Sequence, residues 1–293
     1  MPQNLWMPFG CSVRGASHIR RDKENQDAFT SIQGTANPDG ETPSVVAVSD
    51  GHGGNKYFRS AVGSRVAVDC AAKIARDSTR LSSGMRKDDL ADIVRHMKSR
   101  YVLLWQKDVD AHIDETPFSE DELTFLRENC NQKSYDSVLN NPRFAYGCTF
   151  LCAIAYDDLV LILQLGDGDI LGLYPDNKVR ELTEPDSRNI GNETLSLCSL
   201  RDVSDIAHKI LTGNEIPQLL TLTTDGVKNS YDDQSSAIDA FYNIPVVLKN
   251  ELSKTDGDID TVKDTIQKWL EKVTTDGAGD DVTIGVLFRN LFD

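Results

Sequence analysis

Apolar residues recur along this chain with two periods, and the switches between them mark the expected elements. Segments 9–17, 27–33 and 44–49 have the alternating or continuous apolar character of strands. After Gly54 the spacing becomes helical: Phe58, Val62, Val66, Cys70 and Ile74 recur every four residues and so share one helix face. Leu90, Ile93, Val94, Met97, Tyr101, Leu104 and Trp105 make the stripe of a second helix, with Asp88 or Asp89 as its N-cap. Residues 106–143 are more polar, with short helical stretches such as 119–129, the pattern of a helical insertion or long crossover. Beyond residue 144 the pattern is mostly β. Segments 149–156, 159–165, 170–174 and 178–182 read as an antiparallel meander, with short turns at Asp157-Asp158 and Pro175-Asp176-Asn177. A loop is expected over 184–202, a buried strand over 219–224, amphipathic helices over 234–252 and 261–273, and a last strand over 282–288. Strands in two runs and helices in two pairs suit an α+β layered sandwich, two antiparallel sheets covered by helices, better than a parallel βαβ sheet.

Composition narrows the class of protein. A hydrophobic content of 39% supports a core, and no apolar run approaches the roughly 18–20 residues that span a bilayer. The opening Met1-Pro2-Gln3-Asn4-Leu5-Trp6-Met7-Pro8 lacks a basic stretch followed by an apolar one, so a signal peptide is not expected and a cytoplasmic location is. The six cysteines are scattered without zinc spacing, as reduced thiols of the cytosol would be. A net charge of −15 argues against nucleic acid or an anionic membrane as the main partner. It suits a site where several carboxylates converge, because their repulsion is relieved by protonation or by bound cations.

Such a site is written at the strand ends. The apolar run Val45-Val46-Ala47-Val48-Ser49 stops at Asp50-Gly51-His52-Gly53-Gly54, where a rigid strand aims an acid, glycines permit close approach and a histidine can carry a proton. Two more strand-like runs end in Asp167-Gly168 and Asp225-Gly226. Taken alone, the first is as readily a hairpin turn and the second a strand-to-helix turn. With Asp27 and Asp280-Asp281 they make five acidic positions at the ends of strand-like segments. Carboxylates without His or Cys partners are hard oxygen donors, which select Mg²⁺, Mn²⁺ or Ca²⁺ over Zn²⁺ or Cu²⁺. Asp256-Gly257-Asp258-Ile259-Asp260 is not a calcium loop, since Thr261 and Gln267 stand where such a loop needs Gly and Glu. It reads as a helix N-cap cluster.

Glu24-Asn25-Gln26-Asp27-Ala28-Phe29, Asp50-Gly51-His52-Gly53-Gly54, Gly147-Cys148-Thr149, Gly166-Asp167-Gly168, Thr224-Asp225-Gly226-Val227 and Asp280-Asp281-Val282-Thr283 resemble, in order, the motifs of the metal-dependent protein phosphatase 2C family. Gly15-Ala16-Ser17-His18 and the compact layout are most similar to its bacterial serine/threonine phosphatases. The resemblance covers about residues 10–289 and implies one phosphatase-like domain over 1–293. Its fold would be a four-layer α-β-β-α sandwich of two antiparallel sheets flanked by helix pairs. It implies that Asp50 bridges two Mn²⁺ or Mg²⁺ ions, that the Gly51 carbonyl binds one of them, and that Asp225 and Asp280 complete the other's shell. Asp27 would act directly or through water, Asp167 with Asp225 would hold a weaker third ion, and His52 would be the general acid. Two ions about 3.5–4 Å apart activate a shared water for in-line attack on phosphorus. In that role His52, by protonating the leaving oxygen, would contribute roughly 10²–10⁴-fold.

The sequence departs from the family pattern at three points. Asp22 stands where many members place a phosphate-holding Arg, which passes that role to Arg20 or Arg21, with His18 assisting. Gln26 replaces a Glu and removes one water-mediated metal contact. Asp281 replaces a more usual Asn and adds charge beside Asp280. Segment 184–202 occupies the place of the family's flap. The implied function is a metal-dependent serine/threonine phosphoprotein phosphatase in signalling, its partners phosphoserine and phosphothreonine proteins and a cognate kinase. Two alternatives are a catalytically silent module that binds a kinase or phosphoprotein, and a phosphodiesterase or small-molecule phosphatase on the same fold. Loss of a ligand acid or of His52 would have favoured the silent module. Specificity is expected to reside in 106–143 and 184–202.

Overall fold

In a computed structural model of the protein, residues 6–37, 40–77, 81–184, 194–231 and 235–289 are described. The chain opens with β1 (Trp6–Val13), α1 (Ala16–Arg20), β2 (Ala28–Ile32), β3 (Ala36–Asn37), β4 (Gly40–Glu41) and β5 (Ser44–Ser49), followed by α2 (Ser60–Asp77), α3 (Lys87–Glu115), α4 (Glu120–Asn129) and α5 (Gln132–Asn140). Then come β6 (Phe150–Ala155), β7 (Leu159–Leu165), β8 (Asp169–Leu173), β9 (Val179–Glu181), β10 (Ala207–Thr212) and β11 (Leu219–Thr223), and finally α6 (Asp225–Lys228), α7 (Ser235–Tyr242), α8 (Ile244–Lys254), α9 (Ile259–Asp276) and β12 (Val282–Arg289). One antiparallel sheet has the order β1-β12-β11-β8-β9 and the other β10-β7-β6-β5-β2.

The central strands read as near-continuous apolar runs because both of their faces are buried. In β5, Val46 and Val48 point into the space between the sheets, while Val45 and Ala47 point outward under α2 and α3. The next strand splits the same way, Leu151 and Ala153 inward and Phe150, Cys152 and Ile154 outward. This is the strand period of two, expressed as two separate cores. The other sheet buries Ile284, Val286 and Phe288 under α8 and α9, and Leu287 against the opposite sheet. At about 1.5–3 kcal/mol for each large apolar side chain fully buried, the three cores hold the four layers together. The four-layer α+β sandwich expected from the sequence is the fold observed. No helix among the described residues is long and apolar enough to cross a membrane.

Several elements differ from the sequence reading. The first strand ends at Val13, where its pairing with Val282 runs out, and residues 16–20 turn into α1. Asp88 and Asp89 lie in the first turn of α3 rather than at its cap, which is Arg86. That helix continues through buried Trp105 and Val109 to Glu115, so residues 106–115 belong to it. The helix expected over 234–252 breaks at Asn243, because Pro245 in the first turn of α8 has no N–H to continue a helix from α7. Strand β10, an edge strand of mixed burial, has no clear apolar alternation and escaped the sequence pattern. The expected meander is real between β6 and β7 and again between β8 and β9; between the two pairs the chain changes sheets, and β8 also pairs with β11. In the loop expected over 184–202, residues 185–193 lie outside the described residues, and 197–199 form a short 3-10 turn.

Candidate metal centre and active site

Strand register brings the acidic positions to one end of the sandwich. Ala28, just after Asp27, pairs with Ser49, just before Asp50. Phe150 pairs with Leu165, which places the Gly51–Cys148 bridge beside the Gly166-Asp167-Gly168 turn. In the other sheet Thr223 pairs with both Asp169 and Ile284, so the segment leading to Asp225, the start of β8 and Asp280-Asp281 lie side by side. The sheet change occurs at Gly166, whose φ of +100° lies in the left-handed region; a Cβ there would also come within 2.6 Å of Thr149. Asp167-Gly168 is therefore the crossing between sheets and not a hairpin turn.

Asp50, Gly51, His52, Asp167, Asp225 and Asp280 line a single cavity of about 180 Å³, together with Gln26, Gly53, Thr194 and Asp281. Of the residues expected at the site, Asp27 lies behind it, 8% exposed. Its Oδ2 accepts hydrogen bonds from the Thr224 and Thr283 hydroxyls, both at 2.7 Å. Thr149 fixes Asp50 through its backbone instead: the Asp50 N–H donates to Thr149 Oγ1 at 3.0 Å, and the Thr149 N–H to the Asp50 carbonyl at 2.8 Å. These three threonines carry no role in the sequence reading, although each stands inside a motif; their recurrence beside the acids was the available signal. Asn229 donates to Asp225 Oδ2 at 2.9 Å, and Thr194 to Asp167 Oδ2 at 2.7 Å.

The electrostatics are those of an acid cluster. Burial, then the charges of Asp27 and Asp225, push Asp50 well above the usual carboxyl range, and Asp50 and Asp225 are close enough to share a proton. Burial and Asp281 raise Asp27 well above that range too, and burial raises Asp225. His52 is pushed down to about 4 by burial, against the pull of Asp167. Its Nε2 and the Oε1 of Gln26 are buried without hydrogen-bond partners. Convergent carboxylates forced toward protonation, with orphaned polar atoms beside them, fit hard divalent cations and their coordinated waters.

Arg20 and Arg21 are exposed, and neither lines the cavity. Lys23 instead donates from Nζ to the Gly53 carbonyl at 3.2 Å, within the field of Asp280, Asp281 and Asp50. It reaches the rim because Asp22 adopts a left-handed φ of +53° and Arg14 Nε holds the Lys23 carbonyl at 2.5 Å. His18, 9% exposed, lies with Nδ1 2.9 Å from Asp281 Oδ2 and Nε2 3.5 Å from Asp280 Oδ1, so it contacts the carboxylates rather than an open phosphate position.

No curated protein sequence matches the chain. Among solved structures, it is similar to PppA, a key regulatory component of T6SS in Pseudomonas aeruginosa, with TM-score 0.57 and 16% identity over 98% of this chain and 99% of that one. It is similar to the serine/threonine phosphatase Stp1 from Staphylococcus aureus, with TM-score 0.55 and 14% identity over 97% and 94% of the two chains. The catalytic domain of the serine/threonine phosphatase PstP, in complex with two manganese ions, matches with TM-score 0.51 and 14% identity over 97% of each chain. At these identities the likenesses speak for the fold. The sequence itself matches the family Protein phosphatase 2C over residues 14–271. The chain therefore belongs to the protein phosphatase 2C family.

Proposed function

We propose that this chain is a metal-dependent serine/threonine phosphoprotein phosphatase. The observation that carries the proposal is the convergence of Asp50, Asp167, Asp225 and Asp280 on one cavity with His52 in its wall. Asp50, Gly51, Asp225 and Asp280 would hold two Mn²⁺ or Mg²⁺ ions, and Asp167 with Asp225 a weaker third. When bound, such ions lower the pKa of a water and screen the phosphate charge.

The remaining work falls to the chain. Thr224 and Thr283 hold the Asp27 carboxylate and Thr149 the backbone of Asp50, which limits reorganisation as charge shifts. Lys23, at the cavity rim, takes the phosphate-attracting role expected of Arg20 or Arg21. His52 is neutral at rest, and an arriving phosphate dianion favours its protonated form, from which it protonates the leaving serine or threonine oxygen. Phosphoserine and phosphothreonine proteins are the proposed substrates and a cognate kinase a proposed partner. The six free cysteines support a cytoplasmic location.

The test is phosphate release from a phosphothreonine peptide with Mn²⁺ or with EDTA, alongside Asp50→Asn. Release that needs Mn²⁺ and vanishes in the variant is expected. Release that persists in EDTA, or none at all with Mn²⁺ bound, would overturn the reading.

A further inference from the structure

Residues 116–146 are tied to the wall of the cavity through one buried guanidinium. Arg59, its side chain 8% exposed, lies in the turn that leads from Gly54 into α2. Its Nε and Nη2 donate to the two carboxylate oxygens of Glu122 at 2.7 and 2.8 Å. Nη1 donates to the Thr116 carbonyl at 2.6 Å and to the Tyr146 hydroxyl at 2.8 Å, and Nη2 to the Pro117 carbonyl at 3.1 Å. Every N–H of the guanidinium thus has an acceptor. The Phe118 ring lies 4.8 Å away. Glu122 is itself fixed, because it closes the capping box of α4 with Ser119. Such a fork of charge-assisted bonds is rigid as well as strong.

The same residue grips the segment beside His52. The Arg59 N–H donates to the Ala145 carbonyl at 2.9 Å, and the Tyr146 hydroxyl that it holds also meets His112 Nδ1 at 2.9 Å. The next residue, Gly147, accepts the His52 N–H at 3.0 Å. A Cβ on Gly147 would come within 2.5 Å of the Tyr57 ring and 2.9 Å of His52 Cδ2, so only glycine lets this backbone pass. His52 also packs on Tyr57, ring centroids 4.8 Å apart. The imidazole therefore adjoins both the Tyr57 ring and the Gly147 backbone, and that backbone is anchored by Arg59.

We infer that Arg59 is a positioning residue for His52, and that α4 serves the reaction by supplying the carboxylate that locks Arg59 in place. The inference rests on the proposed phosphatase reading, in which His52 protonates the leaving oxygen. Proton donation matters for a serine or threonine alkoxide and little for nitrophenolate, which leaves without help. Displacing His52 by a fraction of an ångström should therefore slow alkyl phosphates selectively.

The experiment compares a phosphothreonine peptide with p-nitrophenyl phosphate, using Mn²⁺-loaded wild type, His52→Ala, Arg59→Met, Arg59→Lys and Tyr146→Phe, with Mn²⁺ affinity measured by calorimetry. Tyr146→Phe removes one hydroxyl and keeps the test answerable should Arg59→Met fail to fold. His52→Ala is expected to lose far more kcat on the peptide than on the aryl ester. Arg59→Met should show the same selectivity, with about a tenfold or greater loss on the peptide, KM and Mn²⁺ affinity little changed, partial recovery in Arg59→Lys, and a smaller selective loss in Tyr146→Phe. Equal loss on both substrates, or no loss in either Arg59→Met or Tyr146→Phe, overturns the role of Arg59 while leaving the His52 reading intact. An unselective His52→Ala overturns that reading first, and this inference with it.

Discussion

The Gln26 backbone N–H is held by Asp281, whose Oδ2 accepts it at 2.7 Å while Oδ1 accepts the Gly15 N–H at 2.6 Å. Both oxygens of this buried carboxylate are thus committed to backbone donors, which is why an acid serves where a carboxamide could satisfy just one of them. Asp281→Asn would turn an NH₂ toward a buried N–H. We expect a loss of about 1–3 kcal/mol in stability, measured by urea denaturation, with Mn²⁺ stoichiometry unchanged. Equal stability would show that the clamp contributes nothing.

Lys23 contacts Gly53 of the cavity lining, and under the proposed reading its removal should weaken the hold on phosphate. Lys23→Ala is expected to raise KM for a phosphopeptide and to weaken inhibition by inorganic phosphate by about tenfold. Arg20→Ala and Arg21→Ala should change phosphate inhibition less. The reverse ranking would return the role to α1.

Raised carboxyls make the metal-free protein sensitive to pH in a particular direction. Asp27, Asp50 and Asp225 bind protons more tightly in the folded chain than their ordinary value of 3.8. The folded state therefore holds more protons than the unfolded one above that value, and stability falls as pH rises toward the raised pKa values. His52, with its lowered pKa, works the other way, and chiefly below its ordinary 6.5. In EDTA the melting temperature should therefore be lower at the higher pH of any pair that spans the raised carboxyl range. Saturating Mn²⁺ should raise it at the higher pH and flatten the dependence, an effect worth about 2.7 kcal/mol at a hundredfold excess over Kd. Asp225→Asn should shrink the Mn²⁺ shift.

Lys228 Nζ meets Asp169 Oδ1 at 2.6 Å and joins the start of β8 to α6. Asp169 is 3% exposed, and its other oxygen has no partner. Lys228→Met would strand that carboxylate, and we expect a clear fall in melting temperature that Lys228→Met with Asp169→Asn partly reverses. If the double variant is no more stable than Lys228→Met alone, the pair is not the cause.

The fold was legible wherever burial on two faces imposed a continuous apolar run, as at 44–49 and 159–165, whose bounds match β5 and β7. It was less legible where long-range pairing decides. Nothing local to Gly166-Asp167-Gly168 shows that the strand after it joins the other sheet, since a hairpin has the same local signature. Cavity acids were legible because motifs name them. The contact of Lys23 with Gly53 was not, because it follows the left-handed turn at Asp22, two positions beyond Arg21 and three beyond Arg20. Arg59 carried no signal at all, since its partners stand 57 to 87 residues away in sequence.

The acids of the centre are divided between the sheets: Asp27 and Asp50 adjoin β2 and β5, whereas Asp225 and Asp280 adjoin β11 and β12. An ion held by both groups is in effect a rivet through the sandwich, and its affinity gauges how closely the sheets are seated. Leu287, buried between them far along β12 from Asp280, would then be a remote tuner of metal affinity. A smaller side chain there would loosen the ions without touching a ligand, and bound ions would in turn slow the parting of the sheets.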